Sequence, residues 1–185
     1  MRSIMSRDKL TAYLPYAGIP FLAAAALVIY AAKLDILALL RYELILVLGY
    51  VAAINDLKTK RIPNRLILVM LGAWTIMTIL HVFIDTESAI EALIFSASGF
   101  ALGGGLFLFV FLISRKGLGG GDVKLMACAG LYLGFAGVLA VMLWGTVIAA
   151  LIGLVLILVK KIGRKDTIPL APFLYLGVLI VVFVS

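Results

Sequence analysis

Long apolar runs broken by short polar clusters dominate the chain. A helix needs about 20 predominantly apolar residues to cross a bilayer. On that measure the pattern predicts seven spans, at 13–32, 37–56, 62–84, 89–114, 123–134, 137–159 and 168–184. The expected fold is all-α, a polytopic transmembrane helical bundle of six spans plus one extra N-terminal span. Residues 1–36 read as that first span and 37–185 as one membrane domain. The fifth run is short. Only Gly134-Phe135-Ala136-Gly137 separates it from the sixth, so the two form either a tight hairpin or one long broken helix.

The charges test this pattern. Counting basic residues in short loops predicts orientation. With the N-terminus in the cytoplasm, 14 of the 16 Lys and Arg residues fall on the inner side, all but Lys33 and Arg41. Asp85, Glu87 and Glu91 fall outside. Merging spans five and six would put Lys160, Lys161, Arg164 and Lys165 on the wrong side, which favours the hairpin. The first residues lack a short apolar region followed by a small-residue cleavage site, so the first span is expected to stay. The expected location is the plasma membrane, multi-pass, with a cytoplasmic N-terminus.

Composition agrees. Of 185 residues, 65% are hydrophobic and 14% charged, and mean hydropathy is +1.24. A water-soluble domain of this length could not hide that much apolar surface. The net charge of +7 does not point to nucleic acid, because the cations cluster in inter-span loops and suit an anionic leaflet. The expected surroundings are the lipid bilayer. One cysteine, Cys128, leaves no pair for an internal disulfide or a Cys-x-x-Cys motif; it reads as a small core residue. Gly99-Phe100-Ala101-Leu102-Gly103 lets helices approach closely and reads as internal packing.

Two aspartates stand out. Asp56 ends the second predicted span and Asp122 begins the fifth. An ionisable residue at a bilayer edge is costly and suggests a functional site. The predicted topology puts both at the cytoplasmic face at similar depth. Two such carboxylates are the minimum equipment for acid/base hydrolysis of a peptide bond. Each has a plainer alternative: Asp56 pairing with Lys58 or Lys60 at the surface, and Asp122 capping a helix after a glycine turn. Glycine before Asp122 leaves room for a second backbone, and Gly121 is expected to matter more than Gly117. Pro63 and Asn64 read as positioning residues at the start of the third span. His81 lacks metal-ligand partners, Ser96, Ser98 and Ser114 lack a base in any recognisable motif, and Trp74 and Trp144 suit packing and interface anchoring.

These residues resemble a family. The segment from Asp56 to Pro63 and Asn64, with six residues between Asp and Pro, looks like the catalytic Asp segment of type IV prepilin peptidases. Gly119-Gly120-Gly121-Asp122-Val123-Lys124-Leu125 is similar to their Gly-x-Gly-Asp motif, which carries the second catalytic Asp. Ile168-Pro169-Leu170-Ala171-Pro172-Phe173 resembles the proline motif that opens their last helix. The resemblance covers residues 37–185. It implies an aspartic endopeptidase with Asp56 and Asp122 catalytic, and with Gly119, Gly121, Pro63, Asn64 and Lys124 positioning backbone or substrate. It implies no metal and no cofactor, a prepilin-like precursor as partner, and cleavage of a short basic leader at the cytoplasmic membrane face. The larger bifunctional members carry a cytoplasmic insertion with two Cys-x-x-Cys pairs, linked to N-methylation. Here the link between spans one and two is short and lacks cysteine, which implies the small form that processes Flp-type or archaellin-like precursors. Two rivals remain: a presenilin or signal-peptide-peptidase type of intramembrane protease, and a non-enzymatic transporter with a carboxylate pair. The first pairs its Gly-x-Gly-Asp with Tyr-Asp, where this chain has Asn55-Asp56. The second predicts polar residues near the bilayer midplane, and the spans offer few.

Overall fold

The computed structural model describes Gly18 and residues 36–114, 118–160 and 168–184. These form five helices: α1 Ile36–Thr59, α2 Asn64–Ile84, α3 Thr86–Ser114, α4 Gly120–Leu158 and α5 Ala171–Val184. The first four are long and apolar enough to cross a membrane; α5 has 14 residues. The chain is therefore a multi-pass, all-α membrane protein. The predicted first span, 13–32, lies outside the described residues except for Gly18, which faces the Tyr50 hydroxyl of α1.

The boundaries differ from the sequence pattern by a few residues. Asp56 does not end its helix: α1 runs on to Thr59 and places Asp56 in its last turn. Lys60 then adopts a left-handed backbone, φ 52. Its N–H donates to the Asp56 carbonyl at 2.8 Å, an arrangement that commonly closes a helix. The Thr59 hydroxyl donates to Asn55 O at 2.9 Å and to Arg61 O at 3.2 Å, fixing the exit of the chain. Pro63 is extended at φ −66, ψ 133 and stands just before α2 rather than inside it.

The fifth and sixth runs are two arms of α4. Gly134, at φ 66 and ψ −172, occupies a backbone region that is essentially closed to other residues. The arms double back there. A Cβ on Gly103 of α3 would meet both Met126 O of the first arm and Val138 Cγ2 of the second. In a straight helix those two residues would lie about 18 Å apart. The first arm, Gly120 to Leu133, is about 21 Å long, short of the roughly 30 Å hydrocarbon core. Its turn sits beside Phe95 and Gly99, about nine residues along α3 from Thr86. The short fifth run is thus a half-helix that ends within the layer.

A broken backbone at membrane depth survives only where its polar groups find partners. Ser96, 1% exposed, donates its hydroxyl to Leu131 O at 2.7 Å. It accepts from Trp74 Nε1 at 3.2 Å. Tyr132 donates to Met70 O at 2.6 Å. Trp74 and Ser96 therefore do more than pack: they hold the end of the half-helix to α2 and α3.

Glycines set the helix spacing. Gly99 lies against the backbone of Gly130 and Gly134, and Gly103 against Met126 O, so the Gly99–Gly103 pair serves internal packing. Gly145 and Gly177 bring the second arm of α4 onto α5. The core gathers Ile45, Leu46, Met126, Tyr132, Val141 and Leu174, with Cys128 2% exposed among them. At the far turn, Asp85 Oδ1 accepts the N–H groups of Glu87 and Ser88 at 3.1 and 3.5 Å and caps α3. Hydrogen bonding from Ser88 holds the Asp85 carboxyl below the usual range. His81 Nε2 lies 2.9 Å from the Ser88 hydroxyl across the same turn.

Candidate active site

Four helix ends meet at one end of the bundle: the C-terminus of α1 and the N-termini of α2, α4 and α5. Between the last turn of α1, the 60–62 turn and the start of α4 lies a pocket of about 270 Å³ lined by Asp56, Lys60, Arg61, Ile62, Gly119, Gly120, Gly121 and Asp122. The two aspartates, 66 positions apart in sequence, thus share one cavity. They are close enough for the charge of Asp56 to act on Asp122.

Each carboxylate is held by backbone. Asp56, 6% exposed, accepts the Ala171 N–H through Oδ2 at 3.0 Å. Ala171 opens α5, and Phe173 and Leu174 N–H both donate to Leu170 O at 3.0 and 3.1 Å. Pro172 comes next, where a missing N–H costs nothing because first-turn donors lack helical acceptors. The proline motif therefore delivers a helix N-terminus, with its partial positive charge, to a buried carboxylate. Asp122 is not an N-cap. Gly119 takes that place at φ −82, ψ 143, and Asp122 sits three residues on, half-buried, accepting Gly119 N–H through Oδ2 at 3.2 Å.

The positioning residues divide. Gly119 lies against Asp122: a Cβ there would stand 3.0 Å from Asp122 Oδ2. Gly121 is needed for a reason absent from the sequence reading. A Cβ there would lie 3.1 Å from Ile62 Cβ, so the 60–63 turn packs on it; its close neighbour is this chain's own loop. Gly120 has open space. Asn64 Oδ1 accepts from Lys124 Nζ at 3.0 Å, joining the first turns of α2 and α4. Ile62, Lys60, Arg61 and the Ala171 N–H were missed as site components; only the proline motif signalled the last. Among the described residues no three His, Cys, Asp or Glu side chains gather as a metal-ligand set.

Gly117 lies outside the described residues, so Gly120 makes the internal comparison. Gly121→Val and Gly120→Val make the same small change in helix propensity. Only the first meets Ile62 and pushes the turn from Asp122, and small misplacements in a site cost large factors in rate. Gly121→Val is expected to lose at least about tenfold more activity than Gly120→Val at matched expression. Equal losses would remove the Ile62 contact from the account.

Residues 43–154 match the model of the type IV leader peptidase family. The chain belongs to that family. It is 30% identical over 128 residues to a prepilin leader peptidase/N-methyltransferase of Bacillus subtilis (strain 168), covering 69% of this chain and 48% of that protein. It is 31% identical over 130 residues to the protein of the same description from Legionella pneumophila, covering 69% and 44%. With the one from Xanthomonas campestris pv. campestris the identity is 28% over 129 residues, covering 69% and 44%. The chain spans about half the length of these relatives. No solved structure matches it.

Proposed function

We propose that this protein is a membrane aspartyl endopeptidase that removes the short basic leader from type IV prepilin-like precursors, Flp-type or archaellin-like. Residues 37–185 form the peptidase domain of a bundle of about seven spans. The observation that carries the reading is the shared pocket of Asp56 and Asp122, in a leader-peptidase family member.

Two nearby carboxylates in a poorly solvated site do not both ionise easily, so the pair shares one proton and titrates as a unit. The ionised member takes a proton from water as its oxygen attacks the scissile carbonyl. The protonated member donates to the carbonyl oxygen. Collapse of the tetrahedral centre breaks the C–N bond: the amine leaves with a proton from one carboxyl, a diol hydroxyl returns its proton to the other, and the pair again shares one proton. Gly120 and Gly121 line the pocket in the first turn of α4, where N–H groups lack helical acceptors. They offer backbone donors to a peptide lying extended across the site. Purified protein reconstituted with candidate precursors tests the reading: release of the leader supports it, and no cleavage of any precursor by the intact protein defeats it.

The site faces the cytoplasm in this reading, since the basic loops cluster at its end. In a Cys128→Ala background, Arg61→Cys is expected to react with an impermeant maleimide only after cells are opened. Glu87→Cys is expected to react in intact cells. The reverse pattern would overturn both the orientation and the leader-cleaving role.

A further inference from the structure

We propose that the apolar seam between α2 and the first arm of α4 seats the opening turns of the precursor's membrane helix, just beyond the bond cut at the carboxylates. This rests on the leader-peptidase reading above. The seam is a groove of about 460 Å³ whose walls include Asn64, Ile67, Leu71, Phe100, Lys124 and Ala127. Its polar residues are at one end only, where Lys124 and Asn64 are bonded at 3.0 Å. Lys124 stands three residues after Gly121, on the same face of the first turns of α4, and Gly121 lines the carboxylate pocket. The polar mouth therefore adjoins the carboxylate pocket, and the groove continues from it into the apolar layer.

A substrate cut at the pocket must leave it along some face of the bundle. On the side of Asp56 the Ala171 N–H binds the carboxylate and Leu174 behind it is 1% exposed; a second apolar groove reaches Leu118 and Leu170, and the crosslinks below set the two grooves against each other. The flank at Asp122 opens along α2, where Leu68 is 66% exposed at the lip of the groove. From Asn64 to Leu71 the wall rises about 10 Å, two turns of a helix. In lipid, helices gain little from the hydrophobic effect and associate by close packing on small residues with a few polar contacts. Ala127 lines the floor of the groove and is itself only 8% exposed. Gly104 backs it, with a would-be Cβ 3.0 Å from Ala127 Cβ, so the first arm of α4 is held tightly against α3. A polar mouth beside the carboxylates and an apolar trough beyond it fit a chain that changes there from polar leader to apolar helix.

The test uses the full chain in nanodiscs and a synthetic precursor with a basic leader before an apolar helix. Single cysteines are placed through the helix's first two turns. The protein carries Asp122→Asn and Cys128→Ala, with either Leu68→Cys or Leu143→Cys. Leu143 is 56% exposed on the second arm of α4 and lines a different apolar groove. The expected result is a disulfide from Leu68→Cys to precursor positions three or four apart, and none from Leu143→Cys. In the otherwise wild-type enzyme, Leu71→Trp is expected to raise KM for this precursor about tenfold while kcat changes less, the sign of lost binding and not lost chemistry. Preferential crosslinking at Leu143, capture of a second copy of the chain at Leu68, or a Leu68 contact with lipid that excess precursor does not displace would each overturn the proposal. Failure of the wild-type protein to cleave any precursor defeats the leader-peptidase reading. Cleavage without a Leu68 crosslink defeats the groove alone.

Discussion

Asp56→Asn and Asp122→Asn are each expected to reduce precursor cleavage by roughly 10³-fold, within the range for removing a general acid or base, while the protein stays folded and in the membrane. Asparagine keeps the size of aspartate and one acceptor oxygen. At position 56 that oxygen can still take the Ala171 N–H, held in the native protein at 3.0 Å. At position 122 it can still take the Gly119 N–H, held at 3.2 Å. The helix starts are thus preserved and only the exchangeable proton and charge are lost. Alanine at position 56 is the contrasting case: it leaves the buried Ala171 N–H without its acceptor, which costs about 1–3 kcal/mol of stability. Initial cleavage rates and thermal unfolding on the same preparations separate the two effects. A rate near wild type in either asparagine variant would mean that the carboxylates are structural.

Gly134→Ala is expected to lower the unfolding midpoint far more than Gly105→Ala. The backbone at Gly134, φ 66 and ψ −172, is one that alanine adopts only at a cost of about 1–3 kcal/mol. A Cβ there also runs into the Phe95 ring. At Gly105 a Cβ meets nothing within 4 Å, and alanine in a helix is favoured by up to about 1 kcal/mol. Activity should fall with stability at Gly134, because the half-helix that ends there begins at the turn carrying Asp122. Size-exclusion profiles and melting in detergent measure the difference. Equal midpoints would mean that the chain passes Gly134 without the sharp reversal.

The sequence revealed the site's two acids but not the way they are held. Apolar run length marks a span because lipid leaves the backbone no other partner, so α1, α2 and α3 were legible to within a few residues. The brevity of run five was legible too. Its cause was not: a turn beside Phe95, held by Ser96 and Tyr132, depends on contacts 35 and 62 positions away in the chain. Asp56 and Asp122 stood out because charge at a membrane edge is rare. The Ala171 N–H did not, since a backbone donor has no sequence signature and lies 115 positions from its acceptor. The glycine run was read as space for a substrate, and at Gly121 that space is taken by Ile62, a fact only the folded loop supplies. Lys124 and Asn64 were both marked as positioning residues, yet their bond to each other follows from the pairing of α2 with α4.

A double-mutant comparison tests most directly whether the two aspartates act as one catalytic unit. Cleavage of one precursor is measured at saturating enzyme for the wild type, Asp56→Asn, Asp122→Asn and the double variant, each in nanodiscs and each shown to be folded. Groups that work as a unit give grossly non-additive losses, so the double variant should cleave no more slowly than the slower single variant. A single variant that retains near wild-type rate, or a double variant whose loss is the product of the two single losses, would contradict the shared-proton pair.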